Sequence, residues 1–381
     1  MLTLILFALC AFFGGIIVII HGIMYVGVTI ARLKLKHSMR PEAERQRATV
    51  LVPARDEEEL LPRLLASLDA QTFKDFSIVL VNDRSTDSTP KIMEEYSALH
   101  PGRVSIVTVD KNPEIGNGKL NALIQGTAAV DSDLVFFTDA DCIVPVTWVE
   151  ELSRAFLRPD LGILLGPIET RRTGTLIATF HAFDHVFKYG YTAGCTGIGM
   201  PTGGFGNNLG IRKTALDEIG GFESIEVTAT EDAALIAAVR QKTSWQTRAF
   251  FTRRITVLTE PQKTWKQLTR QEVRWHTGAL FSPDRNSRLN YRILMIYLLV
   301  SVLAIPASPF IPALGILPAV SFATMSLMAA AIGGLTRQPF LQFWLVLMPF
   351  IVLSMFYNAF LTFRALLKPT LIWKGDRLTG L

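Results

Sequence analysis

From Leu2 to Ile30 the chain carries no Asp, Glu, Lys or Arg. About 20 apolar residues are enough to cross the hydrocarbon of a bilayer as a helix. This run is too long for a signal-peptide core and has no basic region before it, so it reads as a retained transmembrane helix over 1–31. Arg32, Lys34, Lys36 and Arg40 follow at once. Basic flanks stay in the cytoplasm. That predicts an outward N-terminus and a cytoplasmic chain from residue 32 onward.

A second apolar block covers 292–366 and divides into 293–311, 313–335 and 339–363. The segment PASPFIP and the polar trio Thr336, Arg337 and Gln338 mark the breaks. Two or three spans are expected here. Three full spans would carry Arg364, Lys368, Lys374 and Arg377 outside, against the positive-inside rule. One segment is therefore expected to be re-entrant or interfacial, with the Pro-broken first one the leading candidate. Just before the block, 263–285 mixes cationic and aromatic residues, the composition of a helix lying at the membrane surface.

These blocks account for a 381-residue composition that is 49% hydrophobic and only 19% charged, too apolar for an ordinary soluble protein. Residues 45–262 read as a soluble α/β domain, long enough to bury its own core. The net charge of +5 fits the positive-inside rule and attraction to anionic lipid. No basic patch interleaved with aromatics points to nucleic acid. The three cysteines, Cys10, Cys142 and Cys195, have the spacing of neither a metal knuckle nor a disulfide frame.

The middle of the chain has a βαβ rhythm. Thr49–Val52 and Ile78–Val81 are short apolar runs of the buried parallel-strand type. Between them, Glu57–Ala70 has helical spacing through Leu60, Leu61, Leu64, Leu65 and Leu68. Arg103–Val109 and Leu134–Thr138 read as strands, and Leu120–Ala129 as a helix. Ligands of such sheets gather at the carboxyl ends of strands. The acids at 83 and 139–141 fall there.

Four constellations carry candidate chemistry. In VPARDEEELLPRLLASL, Pro53 ends a strand and a loop with Arg55 and Glu57 opens onto a helix; VLVNDRSTDST then places Asp83 just past the next strand. A carboxylate there can accept from a base N–H or a ribose hydroxyl. In FFTDADCIV, Asp139 and Asp141 alternate at a strand end and can reach one hard cation, Mg²⁺ or Mn²⁺, which bridges diphosphate oxygens. Glu231 and Asp232, in VTATEDAALIAAV, open a helix, and Asp232 can serve as a general base. In QEVRW, Gln271, Arg274 and Trp275 share one helical face; Arg binds diphosphate oxygens in bidentate fashion, and Trp stacks on a sugar ring. Taken singly, each pattern also reads as a strand-end turn, a helix cap such as Thr230, or an interfacial anchor.

Taken together, in this order over about 48–280, the four resemble the membrane-bound family 2 glycosyltransferases. That group holds polysaccharide synthases, ceramide glucosyltransferases and carotenoid glycosyltransferases. The resemblance implies a Rossmann-like, GT-A type nucleotide-sugar-binding domain with flanking transmembrane helices, and inversion at the anomeric carbon. It also implies roles for two quieter stretches: Lys119 of GNGKLNAL near the nucleotide, and Gly204 and Asn207 of GGFGNNLGIRK beside the acceptor. Departures are Asn82 for the first of the usual paired Asp residues and Arg84 for the usual Gly after them.

The expected activity is direct displacement of a nucleotide diphosphate, with UDP-glucose or a similar donor. Catalysis falls to Asp232 with Glu231, the cation to Asp139 and Asp141, and the donor to the residues above. Flanking membrane segments and few spans favour one sugar moved to a lipophilic acceptor, a glycolipid or a carotenoid, over a processive polysaccharide synthase. A non-catalytic membrane scaffold sits poorly with retention of all four motifs. A nucleotide-sugar dehydrogenase or epimerase is disfavoured by the missing Gly-x-Gly-x-x-Gly after the first strand. The setting implied is the cytoplasmic membrane of a bacterium, with the catalytic domain on its inner side. Sugar, acceptor and oligomeric state are not legible.

Overall fold

A computed structural model of the protein describes residues 1–36, 46–110, 118–332, 340–368, 370–373 and 376–378. Arg40, Gly116, Asn117, Thr336, Arg337, Gln338 and Lys374 lie outside the described residues, as do the side chains of Lys34, Lys36 and Arg377.

The strands are β1 Ala48–Ala54, β2 Phe76–Asp83, β3 Val104–Val109, β4 Leu134–Phe137, β5 Cys142–Ile143, β6 Leu161–Leu165, β7 Ile168–Thr170, β8 Leu209–Arg212, β9 Gln246–Ala249 and β10 Val257–Thr259. The helices are α1 Leu2–Lys36, α2 Leu61–Asp69, α3 Thr89–Leu99, α4 Gly118–Ala128, α5 Trp148–Ala155, α6 Leu176–Gly197, α7 Lys213–Glu218, α8 Glu231–Lys242, α9 Trp265–Leu280, α10 Arg285–Ala304, α11 Ile316–Ile332 and α12 Phe340–Leu366.

Seven strands form one sheet in the order β3-β2-β1-β4-β8-β6-β9. β1 pairs in parallel with β2 and β4, and β2 with β3, while β8 runs antiparallel to β4 and β6. The continuous apolar runs of β1 and β4 are explained by helices on both faces. Leu61, Leu64, Leu68, Met93 and Trp148 cover one face; Leu120, Leu123, Leu235 and Ile236 cover the other. The first helix starts at Leu61, later than the apolar spacing suggested, because Pro62 occupies its first turn, where its missing N–H costs nothing. Gly126 lets α4 close on the sheet: a Cβ there would lie 2.7 Å from Val81 Cγ2. A small sheet, β5-β10-β7, abuts the carboxyl ends of β4 and β6.

Among the described residues, four helices are long and apolar enough to cross a membrane: Thr3–Leu33, Arg285–Ala307, Pro312–Ile332 and Met348–Leu366. They share a core of Ile17, Met24, Leu294, Leu298, Met325, Met328, Ile351 and Met355. Large apolar side chains such as Phe12, Ile19, Leu303 and Leu327 face outward. α6 closes on α1 through glycines. A Cβ on Gly27 would sit 2.0 Å from the Gly194 oxygen, and one on Gly197 1.9 Å from the Gly27 oxygen. Such small-residue contacts let membrane-level helices pack backbone to backbone.

The Pro-rich stretch 305–315 forms short 3₁₀ turns between α10 and α11 and interrupts neither. The helix with unusual neighbours is α12. Tyr357 bonds Thr269 at 3.2 Å, Leu361 joins Val273 in one apolar cluster, and Lys368 lies 5.1 Å from the Phe281 ring centroid. These contacts place the C-terminal part of α12 and the turn beyond it beside α9.

Candidate active site

Loops at the carboxyl ends of β1 and β2 are laced together. Asp56 Oδ1 accepts from the Thr86 N–H at 2.8 Å, Glu57 N–H donates to Thr89 Oγ1 at 2.8 Å, and Ser88 N–H donates to Glu58 Oε2 at 2.9 Å. Asp56 and Arg84 both adopt positive φ, 52° and 57°. Arg84 therefore keeps the left-handed backbone that a Gly would take without strain. Its guanidinium folds onto Asp83, Nε to Oδ1 at 2.7 Å. Asp83 is the buried last residue of β2 rather than a residue beyond it.

β4 ends at Phe137, and the chain just beyond it delivers Asp139 and Asp141 over the same edge. Lys119, the second residue of α4, donates to both oxygens of Asp139, at 2.8 and 3.0 Å, and lies 3.5 Å from Glu231. Burial opposes charge on Lys119, but Asp139 and Glu231 outweigh it and hold the ammonium above its ordinary pKa. Asp141 has looser partners, Cys142 Sγ at 3.4 Å and Thr259 Oγ1 at 3.5 Å. Burial, then like charge from Asp139 and Glu57, pushes its carboxyl up to about 7. A half-buried pair of carboxylates with one firm counter-charge among the described residues is an oxygen-rich set suited to Mg²⁺ or Mn²⁺.

Asp232 sits in the first turn of α8. Thr230 does not cap this helix through its side chain. Asp232 instead takes N–H bonds from Ala233 at 2.8 Å and Gly206 at 3.0 Å. Burial, then Glu231, pushes it up to about 6. Gly206 belongs to the loop holding Gly204 and Asn207. A Cβ on Gly204 would come within 2.9 Å of Leu165 Cδ2. Asn207 reaches Cys142 Sγ at 3.5 Å. α9 is tied to the Asp232 loop, because Arg274 donates to the Ala229 carbonyl at 2.9 Å and Gly278 faces Thr230 closely. Gln271 keeps a buried Oε1 with no hydrogen-bond partner among the described residues.

One cavity of about 940 Å³ is lined by Pro53, Arg55, Glu57, Asp83, Lys119, Asp139, Asp141, Gly204, Asn207, Glu231, Asp232, Gln271, Arg274 and Trp275. Side chains separated by more than 200 positions in sequence thus face one space. The same cavity continues between the membrane helices, past Ile17, Met24, Phe187, Leu294, Leu298 and Met325.

The profile of the family described as glycosyl transferase family 21 matches residues 14–379. The chain belongs to that family. It is a membrane-type glycosyltransferase of the broad family 2 kind that the motifs resemble. A probable glycosyltransferase of Bacillus subtilis (strain 168), YdaM, is 28% identical over 250 residues, 62% of this chain and 56% of that protein. A 4,4'-diaponeurosporenoate glycosyltransferase of Staphylococcus haemolyticus is 38% identical over 96 residues, 25% of this chain and 24% of that protein. A poly-beta-1,6-N-acetyl-D-glucosamine synthase of Staphylococcus epidermidis is 24% identical over 276 residues, 66% of this chain and 61% of that protein. The chain thus spans less than two thirds of the length of these relatives. Among solved structures, a mannosyltransferase of Pyrobaculum calidifontis, in complex with GDP-Man and Mn²⁺, superposes with a TM-score of 0.52 at 15% identity, over 93% of this chain and 98% of that one. That likeness fixes the GT-A fold of this family 21 member.

Some residues of the site escaped the motif reading. Asn208, beside the predicted Asn207, is fully buried and braces the loop. It accepts from Trp148 Nε1 at 2.9 Å and donates to the carbonyls of Pro167 and Ile255 at 2.7 and 2.8 Å. Asp184, His185 and Lys188 on α6 form a wall of the cavity beside Trp275. Only the i, i+4 spacing of polar residues in HAFDHVFK hinted at them.

Proposed function

We propose that this glycosyltransferase moves a single sugar from a nucleotide-diphosphate donor, UDP-glucose or a close analogue, to a lipophilic acceptor hydroxyl, with inversion. The observation that carries this reading is the continuity of the cavity from the acids at the strand ends to the apolar side chains between α1, α6, α10 and α11. A polar donor fits the first region and an acyl or isoprenoid chain the second. Asp232 lines the same cavity.

In this reading the laced loops with Arg55, Glu57 and Asp83 hold the nucleoside. Asp139 and Asp141 hold Mg²⁺ or Mn²⁺, which when bound offsets charge on the departing diphosphate. Lys119 and Arg274 supply fixed positive charge at the same end of the cleft. Asp232, with Glu231 beside it, takes the proton from the acceptor hydroxyl as that oxygen attacks the anomeric carbon. Its two backbone N–H bonds fix the carboxylate under the Gly204–Asn207 loop, leaving one lone pair on each oxygen for the substrate. Trp275 offers a face for the sugar.

The membrane arrangement is drawn from the contacts of α12. We place α1, α10 and α11 as spans and α12 in the interface beside α9, with the domain 45–262 in the cytoplasm of a bacterium. Arg364 and Lys368 then lie on the catalytic side. This satisfies the positive-inside rule and assigns the non-spanning segment to the third C-terminal helix rather than the first.

The test is incubation of membranes holding the protein with labelled nucleotide sugars and divalent cation, followed by solvent extraction. Label in the organic phase, as a product with one added sugar, is expected. Polymer ladders in the aqueous phase would defeat the single-transfer reading and favour the activity named for the staphylococcal synthases.

A further inference from the structure

The wall formed by α6 and α9 holds a second group of metal-binding side chains, separate from the strand-end acids. His181 and His185 stand one turn apart on α6, on the same face. Glu272 comes from α9. Ligand atoms of the three lie within 4.8 Å of one another, and all three residues are buried. Their exposures are 1%, 1% and 0%.

Among the described residues, the hydrogen-bond pattern around them is incomplete. His185 Nδ1 is satisfied by Thr170 Oγ1 at 2.8 Å, which leaves Nε2 without a partner. Glu272 Oε2 pairs with Lys188, and Oε1 has no partner. Neither ring nitrogen of His181 has one. A buried polar atom left in that state is destabilising, so the orphans call for a common ligand. On α9, His276 by contrast has a neighbour at each ring nitrogen, the Glu272 carbonyl oxygen 3.0 Å from Nδ1 and Asn358 Oδ1 3.1 Å from Nε2. Two carboxylates, Asp184 and Glu272, share the Lys188 ammonium, which lies 2.6 Å from Asp184, and Arg274 adds a second positive charge that acts on Glu272.

We propose that His181, His185 and Glu272 bind a transition-metal dication of the Zn²⁺ class, as a site distinct from the one at Asp139 and Asp141. Two imidazoles and one carboxylate form a borderline donor set that favours Zn²⁺ over Mg²⁺. Ligand atoms of a tetrahedral site sit about 3.3 Å apart, given bonds of about 2.0–2.2 Å, so rotamer adjustments of about 1 Å close the set. Thr170 on His185 and Lys188 on Glu272 supply the outer hydrogen bonds that orient such ligands. Burial holds both imidazoles in the neutral form that ligates, with His181 lowered to about 4. His181 and His185 line the cavity, so the fourth position opens into it and takes water or a substrate oxygen. The site does not rest on the donor and acceptor assigned above.

The test uses the full chain in lipid nanodiscs, stripped with chelator, reloaded with Zn²⁺ and desalted. About one Zn²⁺ per chain should remain in the wild type and in the Asp139→Asn, Asp141→Asn double variant. His185→Ala and Glu272→Gln should bind at least about 10-fold more weakly. Loading with Co²⁺ should give the visible absorption of a four-coordinate, nitrogen-ligated ion in the wild type. This measurement stands even if every variant misfolds. A wild type that retains no Zn²⁺ and shows no such Co²⁺ spectrum overturns the proposal. So does retention unchanged in both single variants, or loss confined to the aspartate variant.

Discussion

Asp232→Asn separates the proposed base from the rest of the site. The substitution keeps the volume and can keep one of the two backbone contacts, to Ala233 or Gly206. It removes the only function of this carboxylate that needs negative charge at the reacting hydroxyl. A positioned general base contributes about 10²–10⁴ in rate, or about 2.7–5.4 kcal/mol at 1.36 kcal/mol per tenfold. Transfer by the variant should fall by that factor at saturating donor, while donor affinity stays within about threefold. The pH profile supplies a second readout. Burial and Glu231 set the Asp232 carboxyl near 6, above its ordinary value, and a base acts only when deprotonated. Wild-type turnover should therefore climb as pH rises through about 6 and level off above it. The variant should lose that limb. The assay is initial rate of label transfer into solvent-extractable product over pH 5–8, a range of about three units that spans the shifted group, with donor binding measured separately by calorimetry. A variant within threefold of wild type, or one with an unchanged acid limb, refutes the assignment.

The geometry sets three further outcomes. Leu298→Trp, in the apolar end of the cavity, should raise the apparent KM for a lipophilic acceptor about tenfold or more and leave donor affinity unchanged; equal effects on both would sever the two ends. Gly27→Leu should lower the melting temperature sharply, since its Cβ meets the Gly194 carbonyl at 2.0 Å, whereas Gly15→Leu, with nothing within 4 Å, should not; equal melting of the two contradicts the α1–α6 packing. Lys119→Met removes the firm counter-charge of Asp139, so melting should fall and Mn²⁺ should restore part of the loss by replacing positive charge; a variant as stable as wild type without metal argues that the acids are not crowded.

How much of this was readable in the sequence depended on whether the signal was local. β1, β2 and β4 announced themselves because strands buried on both faces need unbroken apolar runs. The motif acids were legible because strand-end loops place them by sequence position alone. Where the reading slipped, a neighbour decided the outcome. The first helix began at Leu61 because of Pro62 in its first turn. Asp83 ended inside β2 because β3 pairs with it through Val109. Thr230 was left without a capping role because Asp232 and the Gly206 loop satisfy that end of α8 differently.

The membrane half was the harder part, for a physical reason. Hydropathy measures whether a segment tolerates lipid and says nothing of which helix it lies against. The segment 339–363 is as apolar as a span, yet its far half is held by Tyr357–Thr269, His276–Asn358 and the cluster of Val273 with Leu361. Those contacts pair residues more than 80 positions apart, which no periodicity can reveal. They also bind α12 to the helix that carries Gln271, Arg274 and Trp275. Through Arg274, which donates to the Ala229 carbonyl, α9 is in turn tied to the loop that precedes Asp232. The helix against which α12 packs therefore also supplies Gln271, Arg274 and Trp275 to the lining of the cleft.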